Sequence, residues 1–447
     1  MSHLMLFTLP EYILLLVWLI WIGQAMFGLR NVYMFLRREQ KKKVNEARGE
    51  TMPDFTPSAV VIIPVKGADP NLAHHMQGLL EQNYPSFKLI FATEADDDAA
   101  FVAIRDYLGG GFSVSSLPES EEGDGTTVLT WQPADVSADK KRSSNLRLVQ
   151  LISAGLAQNE AQKVHNQIAA MQLMDDGDEA VVYADADAVM GDDWLRKIIR
   201  PLYRPTIGVA TAWRWLLPEH GPKSSLATHV ACIINSSIVT LQGRDRRNCA
   251  WGGSMAVLRT TLDEIDMPKP WRGTFNDDVN LSNAVQAKGK RVYLVPNMLV
   301  NSPVSFTWPS LFEFGRRQYM HARVYQPATW IVGPLATSLY LFGFFSALIS
   351  LACLTTTWPI ALFTLLAVFT LDFFRGRFRR QVAHTTLDDQ AQEKLRGIWK
   401  YDMLFTPFWM LVHWICAISS FFGHCFTWGG ITYRIHAPHD IEIIDRK

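Results

Sequence analysis

Val181-Val182-Tyr183-Ala184-Asp185-Ala186-Asp187 is an apolar run that stops at two acids spaced by one residue. The run predicts a buried strand, and in open α/β sheets ligands bind beyond the carboxyl ends of strands. Two carboxylates delivered there suit a hard divalent cation, Mg2+ or Mn2+, which takes some oxygens from protein and the rest from phosphates. A strand followed by an acidic turn would spell the same letters, so the pair alone decides little. A second run, 88–92, ends in Glu94, Asp96, Asp97 and Asp98. Some of these belong to a solvated turn, and one or two can face the same crevice to accept hydrogen bonds from a base or ribose. The third acidic element is Asn276-Asp277-Asp278, preceded by Trp271-Arg272-Gly273 and followed by a helical pattern. Capping accounts for one of these acids. Adjacent carboxylates also repel, which raises one pKa toward the range where it can accept a proton.

The elements that must hold these acids form an α/β body over about 55–309, expected to carry a mostly parallel sheet. Strands are expected at 59–63, 88–92, 179–184 and 207–212. Helices are expected at 71–82, 145–174 and 279–288, the last ended by Gly289. Residues 113–139 are rich in Ser, Pro, Gly and acids and predict a surface insertion.

On either side of this body the chain turns apolar. Residues 12–29 carry no charge and, with the apolar 4–9, reach the roughly 20 residues a bilayer-crossing helix needs. Arg37, Arg38, Lys41, Lys42 and Lys43 follow the run rather than precede it, which predicts a retained anchor with its C-terminal side in the cytoplasm. Residues 324–371 are also uncharged, enough for two spans broken near 355–359, and Arg375, Arg377, Arg379 and Arg380 mark the return. A third uncharged run, 403–433, could hold one span or a re-entrant pair around Pro407. Hydrophobic residues make up 48% of the 447, and 43 Lys+Arg balance 43 Asp+Glu. Zero net charge excludes the basic excess of a nucleic-acid binder. Five cysteines without a C-x-x-C pair point to neither a disulfide scaffold nor a zinc site.

Taken in order, the short motifs resemble the ceramide glucosyltransferases and the bacterial lipid glycosyltransferases of glycosyltransferase family 21, relatives of family 2. Ile63-Pro64-Val65-Lys66-Gly67-Ala68-Asp69-Pro70-Asn71-Leu72 looks like the family's opening P-x-x-G-x-D-P-N-L, and Glu81-Gln82-Asn83-Tyr84-Pro85 like its D-Y-P. Glu94, Asp96 and Asp97 fall on the first acidic motif. Ser144-Asn145-Leu146 falls on the K-x-x-N-L stretch, with Arg142 at the Lys. Asp185-Ala186-Asp187 matches the metal-binding motif, Gly252-Gly253-Ser254-Met255 the glycine loop, and Asp277-Asp278 the pair holding the catalytic base. The closing (Q/R)-x-x-R-W meets Arg317-Gln318-Tyr319-Met320-His321, a departure that Arg316, Arg317 and Arg323 could offset in charge. The terminal W-x-x-x-x-Y-R is matched by Trp428 to Arg434.

The resemblance implies a GT-A type nucleotide-sugar-binding domain with N-terminal and C-terminal transmembrane helices, and inverting transfer of glucose or a related hexose from a UDP-sugar to the hydroxyl of a lipid acceptor such as ceramide. It casts Asp278 as base with Asp277 as partner, Asp185 and Asp187 as ligands of Mg2+ or Mn2+, and Glu94, Asp96, Arg142, Asn145 and Asp185 as donor contacts. Gly253, Arg317, Gln318 and Arg323 are cast as acceptor or phosphate contacts. The expected divisions are an N-terminal anchor (1–36), a basic cytoplasmic linker (37–54), the catalytic domain (55–310), an interfacial segment (311–326), two spans (327–374), a basic loop (375–402), a membrane segment (403–433) and a tail (434–447). The result would be an integral membrane protein with its catalytic domain facing the cytoplasm, in the inner membrane if the cell is bacterial. Its partners would be a nucleotide sugar and a membrane lipid, with no nucleic acid. A processive polysaccharide synthase and a non-catalytic nucleotide-sugar-binding membrane protein are the competing readings. The sequence leaves open which sugar, which lipid and which oligomeric state.

Overall fold

The computed structural model describes residues 7–49, 52–67, 69, 71–117, 126–243 and 248–446. Within the expected insertion, 118–125 lies outside the described residues, as do Ala68 and Pro70 of the opening motif. The chain forms two compact units.

One unit comprises Asn45–Arg214, Gln242–Ser302 and His424–Lys447. Its centre is a nine-stranded sheet of β1 (Ala59–Pro64), β2 (Phe87–Thr93), β3 (Ser113–Ser116), β4 (Thr127–Trp131), β5 (Leu146–Ser153), β6 (Ala180–Ala184), β7 (Ile207–Pro218), β8 (Ser254–Leu258) and β9 (Arg291–Val304). The strand order is β3-β4-β5-β2-β1-β6-β8-β7-β9. β5, β2, β1 and β6 run parallel, while β3, β4, β7 and β8 pair antiparallel. The sheet is therefore mixed, its parallel core flanked by antiparallel strands. Every residue of β1, β2 and β6 is buried, as expected of strands covered on both faces.

One expectation for this unit is corrected. The helix expected over 145–174 is β5 followed by a shorter helix, Gln162–Met171. Leu146-Arg147-Leu148-Val149-Gln150-Leu151-Ile152 supplies the apolar run of a strand, and Gly155, at φ +84°, breaks the chain before the helix begins. The insertion is a hairpin at the sheet edge, built from β3 and β4. At the far end of the chain, β10 (Cys425–Trp428), β11 (Ile431–Ala437) and β12 (Asp440–Arg446) form a small antiparallel sheet.

The other unit comprises Met1–Val44, Trp215–Leu241 and Pro303–Gly423. Three of its helices are long and apolar enough to cross a membrane: Leu9–Ala47, Pro327–Ala352 and Trp358–Thr386. The first continues through the basic residues expected to begin a linker, because no Pro or Gly interrupts 29–48. The third uncharged run yields only the 14-residue helix Thr406–Ser419, about 21 Å long and too short to span, before the chain enters the terminal sheet. Leu226–Val239 is a second short apolar helix. Helix Trp308–Tyr325 precedes the spans and opens with a capping box between Thr307 and Ser310.

Candidate active site

Strand β6 ends at Ala184, so Asp185 and Asp187 emerge at its carboxyl end. The antiparallel partner β8 starts there, with Ser254 opposite Ala184, and Asp185 N–H donates to Gly253 O at 3.2 Å. This pairing brings the glycine loop against the acids. A Cβ on Gly253 would lie 2.2 Å from the Trp251 ring and 2.7 Å from Asp185 Oδ2, and one on Gly252 would lie 2.6 Å from Asp277 Oδ2. Only glycine fits at these two positions.

Asp277 and Asp278 arrive at the N-terminus of helix Asp278–Ala287. Asp277 makes no side-chain cap hydrogen bond, whereas Asn276 Oδ1 accepts from Val279 N–H at 2.8 Å. Asn276 thus takes the capping task and leaves Asp277 to face inward. Gly252 N–H donates to Asp278 Oδ2 at 2.9 Å and Asn276 Nδ2 donates to Oδ1 at 2.8 Å.

The residue that ties the acids together is Lys163, on helix Gln162–Met171. Its ammonium lies 2.7 Å from Asp185 Oδ1 and 3.0 Å from Asp277 Oδ2, and Gln167 Nε2 donates to Asp277 Oδ2 at 2.9 Å. The electrostatics follow from this placement. Burial lowers the Lys163 pKa, but Asp185 and Asp277 outweigh it and hold the ammonium charged. For Asp277, burial pushes upward, while Lys163 and Gln167 pull the carboxyl below its ordinary value. Asp278 has only partial relief from Lys163. Burial and then the Asp277 charge push it up to about 6. Asp187 presents its own surface to solvent, yet protein massed around it and then Asp185 raise its carboxyl, against Arg214 and Lys163.

Among the described residues no three His, Cys, Asp or Glu side chains gather to hold a metal ion by themselves. Asp185 and Asp187 nevertheless fit Mg2+ or Mn2+, because two strand-end carboxylates are the protein share such an ion takes when phosphates complete its shell. Glu94 follows β2 and pairs with Lys66 and, at 3.5 Å, with Arg446 of β12. Asp96 is exposed in the turn beyond, and Asp98 caps helix Ala99–Leu108.

Arg142 and Asn145 are not part of this cluster. Asn145 precedes β5, and its carbonyl accepts from Phe87 N–H at the start of β2. That is the amino end of parallel strands whose carboxyl ends carry the acids, about 26 Å away along an eight-residue strand. In the other unit, Arg316 donates to Ser419 O and Phe422 O, and Arg323 to Ser420 O and Gly423 O. Both cap the carboxyl end of Thr406–Ser419, a structural use of donors expected to reach acceptor or phosphate. Arg317 lies over the Phe314 ring, and Gln318 is exposed.

A mixed α/β domain with acids gathered at its strand ends, in a chain with helices of membrane-spanning length, has the build of a membrane-associated glycosyltransferase. The chain belongs to glycosyl transferase family 21, whose family model matches residues 20–109 and 149–441. Among solved structures, the mannosyltransferase PcManGT from Pyrobaculum calidifontis, in complex with GDP-Man and Mn2+, is similar at 15% identity and a TM-score of 0.44, over 91% of this chain and 99% of its own. A comparison with curated proteins gave no match. The family match omits 110–148, which holds Arg142 and Asn145, and includes Lys163-Val164-His165-Asn166. The K-x-x-N spacing recurs in those four residues, and Lys163 is where the acids meet.

Proposed function

We propose that the protein transfers glucose or a related hexose, with inversion, from a UDP-sugar to the hydroxyl of a membrane lipid. The observation that carries this reading is Asp278, a carboxyl set at about 6 inside a cluster that also holds Asp185, Asp187, Asp277 and Lys163. A general base works best with a pKa near the working pH, and Asp278 stands there because burial and then Asp277 raise it. The Gly252 N–H and Asn276 amide fix its direction. The acceptor oxygen bonds to the anomeric carbon as the bond to the diphosphate breaks, and the hydroxyl proton passes to an Asp278 oxygen. A divalent ion held by Asp185 and Asp187 would supply charge neutralisation for the departing diphosphate. Lys163 and Gln167 hold the Asp277 carboxyl down, and the Asp277 charge raises Asp278 against the direct pull of Lys163. Three helices of spanning length favour an acceptor in the bilayer over one in solution. Asp278→Asn is expected to bind UDP as the wild type does and to lose transfer by at least ~10²-fold. Wild-type transfer by this variant would remove Asp278 as base. Mass spectrometry of lipids from cells with and without the protein identifies the acceptor, and a lipid profile unchanged by the protein speaks against a lipid product.

A further inference from the structure

The carboxyl-terminal sheet is packed onto the residues that carry the chemistry, and its last described residue, Arg446, reaches Glu94 at the end of β2. Arg446 donates to Ala157 O at 2.6 Å and to Gln162 Oε1 at 3.0 Å. Its guanidinium also stands 3.5 Å from Glu94 Oε2, an atom that is buried and has no hydrogen bond. Lys66 holds the other Glu94 oxygen, and Lys66 itself lies under Gly429 of the turn between β10 and β11. Gln162, the first residue of the helix that bears Lys163 and Gln167, receives a second tie from the same sheet: its N–H donates to the Tyr433 hydroxyl at 3.2 Å. Gln162 Nε2 then donates to Asn166 Oδ1, and Asn166 Nδ2 to Ala92 O, next to the end of β2. Trp428 of β10 lies 5.9 Å from the Lys163 ammonium. One residue near the chain end thus touches both Glu94, at the end of β2, and the helix that positions Lys163.

We infer that Arg446 is a positioning residue for the donor nucleotide, and that strand β12 is a strap completing the nucleoside end of the site. The inference rests on the nucleotide-sugar reading. Glu94 lies between two cations, Lys66 and Arg446, and a carboxylate so held offers acceptors only. A carboxylate in that state selects a base edge that presents N–H groups. Lys66 fixes one of its oxygens, and Arg446 sets the orientation of the other. Without Arg446, Glu94 keeps Lys66 but loses that orientation, and Gln162 loses one of its ties.

The test is titration of full-length protein in detergent, with Mg2+ present, by UDP, GDP, CDP and ADP in turn. Arg446→Gln is expected to weaken the nucleotide that binds by about 10- to 100-fold, the loss of a charge-assisted contact, and to raise the donor KM alike. The turnover number and the acceptor KM should hold. Arg446→Lys should recover most of the affinity, since an ammonium keeps a charge beside Glu94. A double variant with Glu94→Gln should lose little more than Glu94→Gln alone, since Arg446 acts through Glu94. That comparison holds even if Arg446→Gln lowers the melting temperature. Unchanged nucleotide affinity in Arg446→Gln, or additive losses in the double variant, overturns the inference while leaving the donor reading intact. Wild-type protein that binds none of the four nucleotides removes both.

Discussion

At the scale of single residues, the site is an arrangement of four carboxyl groups around one ammonium, and its behaviour follows from where that ammonium sits. Lys163 touches Asp185 and Asp277 but not Asp278, so the charge it provides divides the adjacent acids into one that is ionised and one that is poised. Transfer needs Asp278 unprotonated, so the rate should fall as pH drops through about 6. Stability should move the other way. The folded pKa of Asp278 lies above its ordinary value, so its contribution is full below about pH 4 and is lost as pH rises through about 6. Asp278→Asn should therefore melt higher than wild type at pH 8, by about 1–3 kcal/mol, and show no such gain at pH 4. Thermal melts at the two pH values decide it. Lys163→Met should move the acid limb of the rate profile above 6, because the ammonium lowers the Asp278 pKa directly while Gln167 still holds the Asp277 carboxyl down. An acid limb that stays in place in this variant would show that Lys163 does not set the base.

Elements bring these residues together, and the tightest constraint is the return of β8 alongside β6. The glycine loop must pass between Trp251, Asp185 and Asp277, where a methyl group has no room. Gly253→Ala should cost about 1–3 kcal/mol in folding and should weaken nucleotide binding as well, since the group pushed aside is either Trp251 or Asp185. Calorimetric titration with UDP beside a melt separates the two losses. The strand-end acids were legible because they follow an apolar run whose end marks the carboxyl edge of a sheet, and the glycine loop because it falls in order among the family's motifs. Lys163 was not legible, since a lysine one residue into a helix reads as a solvated side chain, and its place depends on β5 and Gly155 ending where they do. Its one signal was the Asn three residues later, a second K-x-x-N spacing placed after a strand and inside a helix. The role of β12 was hidden for another reason: nothing local in Asp440–Arg446 says that it returns to Glu94 and Gln162. Arg316 and Arg323 read in the sequence as charge that could offset the altered closing motif, and the helix end that uses them lies about a hundred residues away.

At the scale of the whole molecule, chemistry on a nucleotide sugar requires the site to face the compartment that holds the donor, so membrane orientation is part of the mechanism. Helices Pro327–Ala352 and Trp358–Thr386 are joined by the short turn 353–357, and Arg375, Arg377 and Arg380 lie in the later turns of the second helix. Arg379 in the same stretch is buried against Asp402, with its Nε 2.9 Å from Oδ2. The positive-inside rule predicts the arginine-rich ends in the cytoplasm and the turn on the opposite side. Basic residues in the last part of Leu9–Ala47 predict the same polarity for the first helix. The chain carries its own probe of this arrangement. Cys353 lies in the turn and is exposed, while Cys232 and Cys416 are buried. Cys249 and Cys425 are partly covered, and burial pushes the Cys249 thiol up, which keeps it a poor nucleophile. A membrane-impermeant maleimide added to intact cells should therefore label the protein from outside, and Cys353→Ser should abolish that labelling. Labelling of Cys353 that appears only after permeabilisation would place the turn in the cytoplasm. The far ends of the two helices, Pro327 and Thr386, would then face outward, against the polarity that the arginines predict.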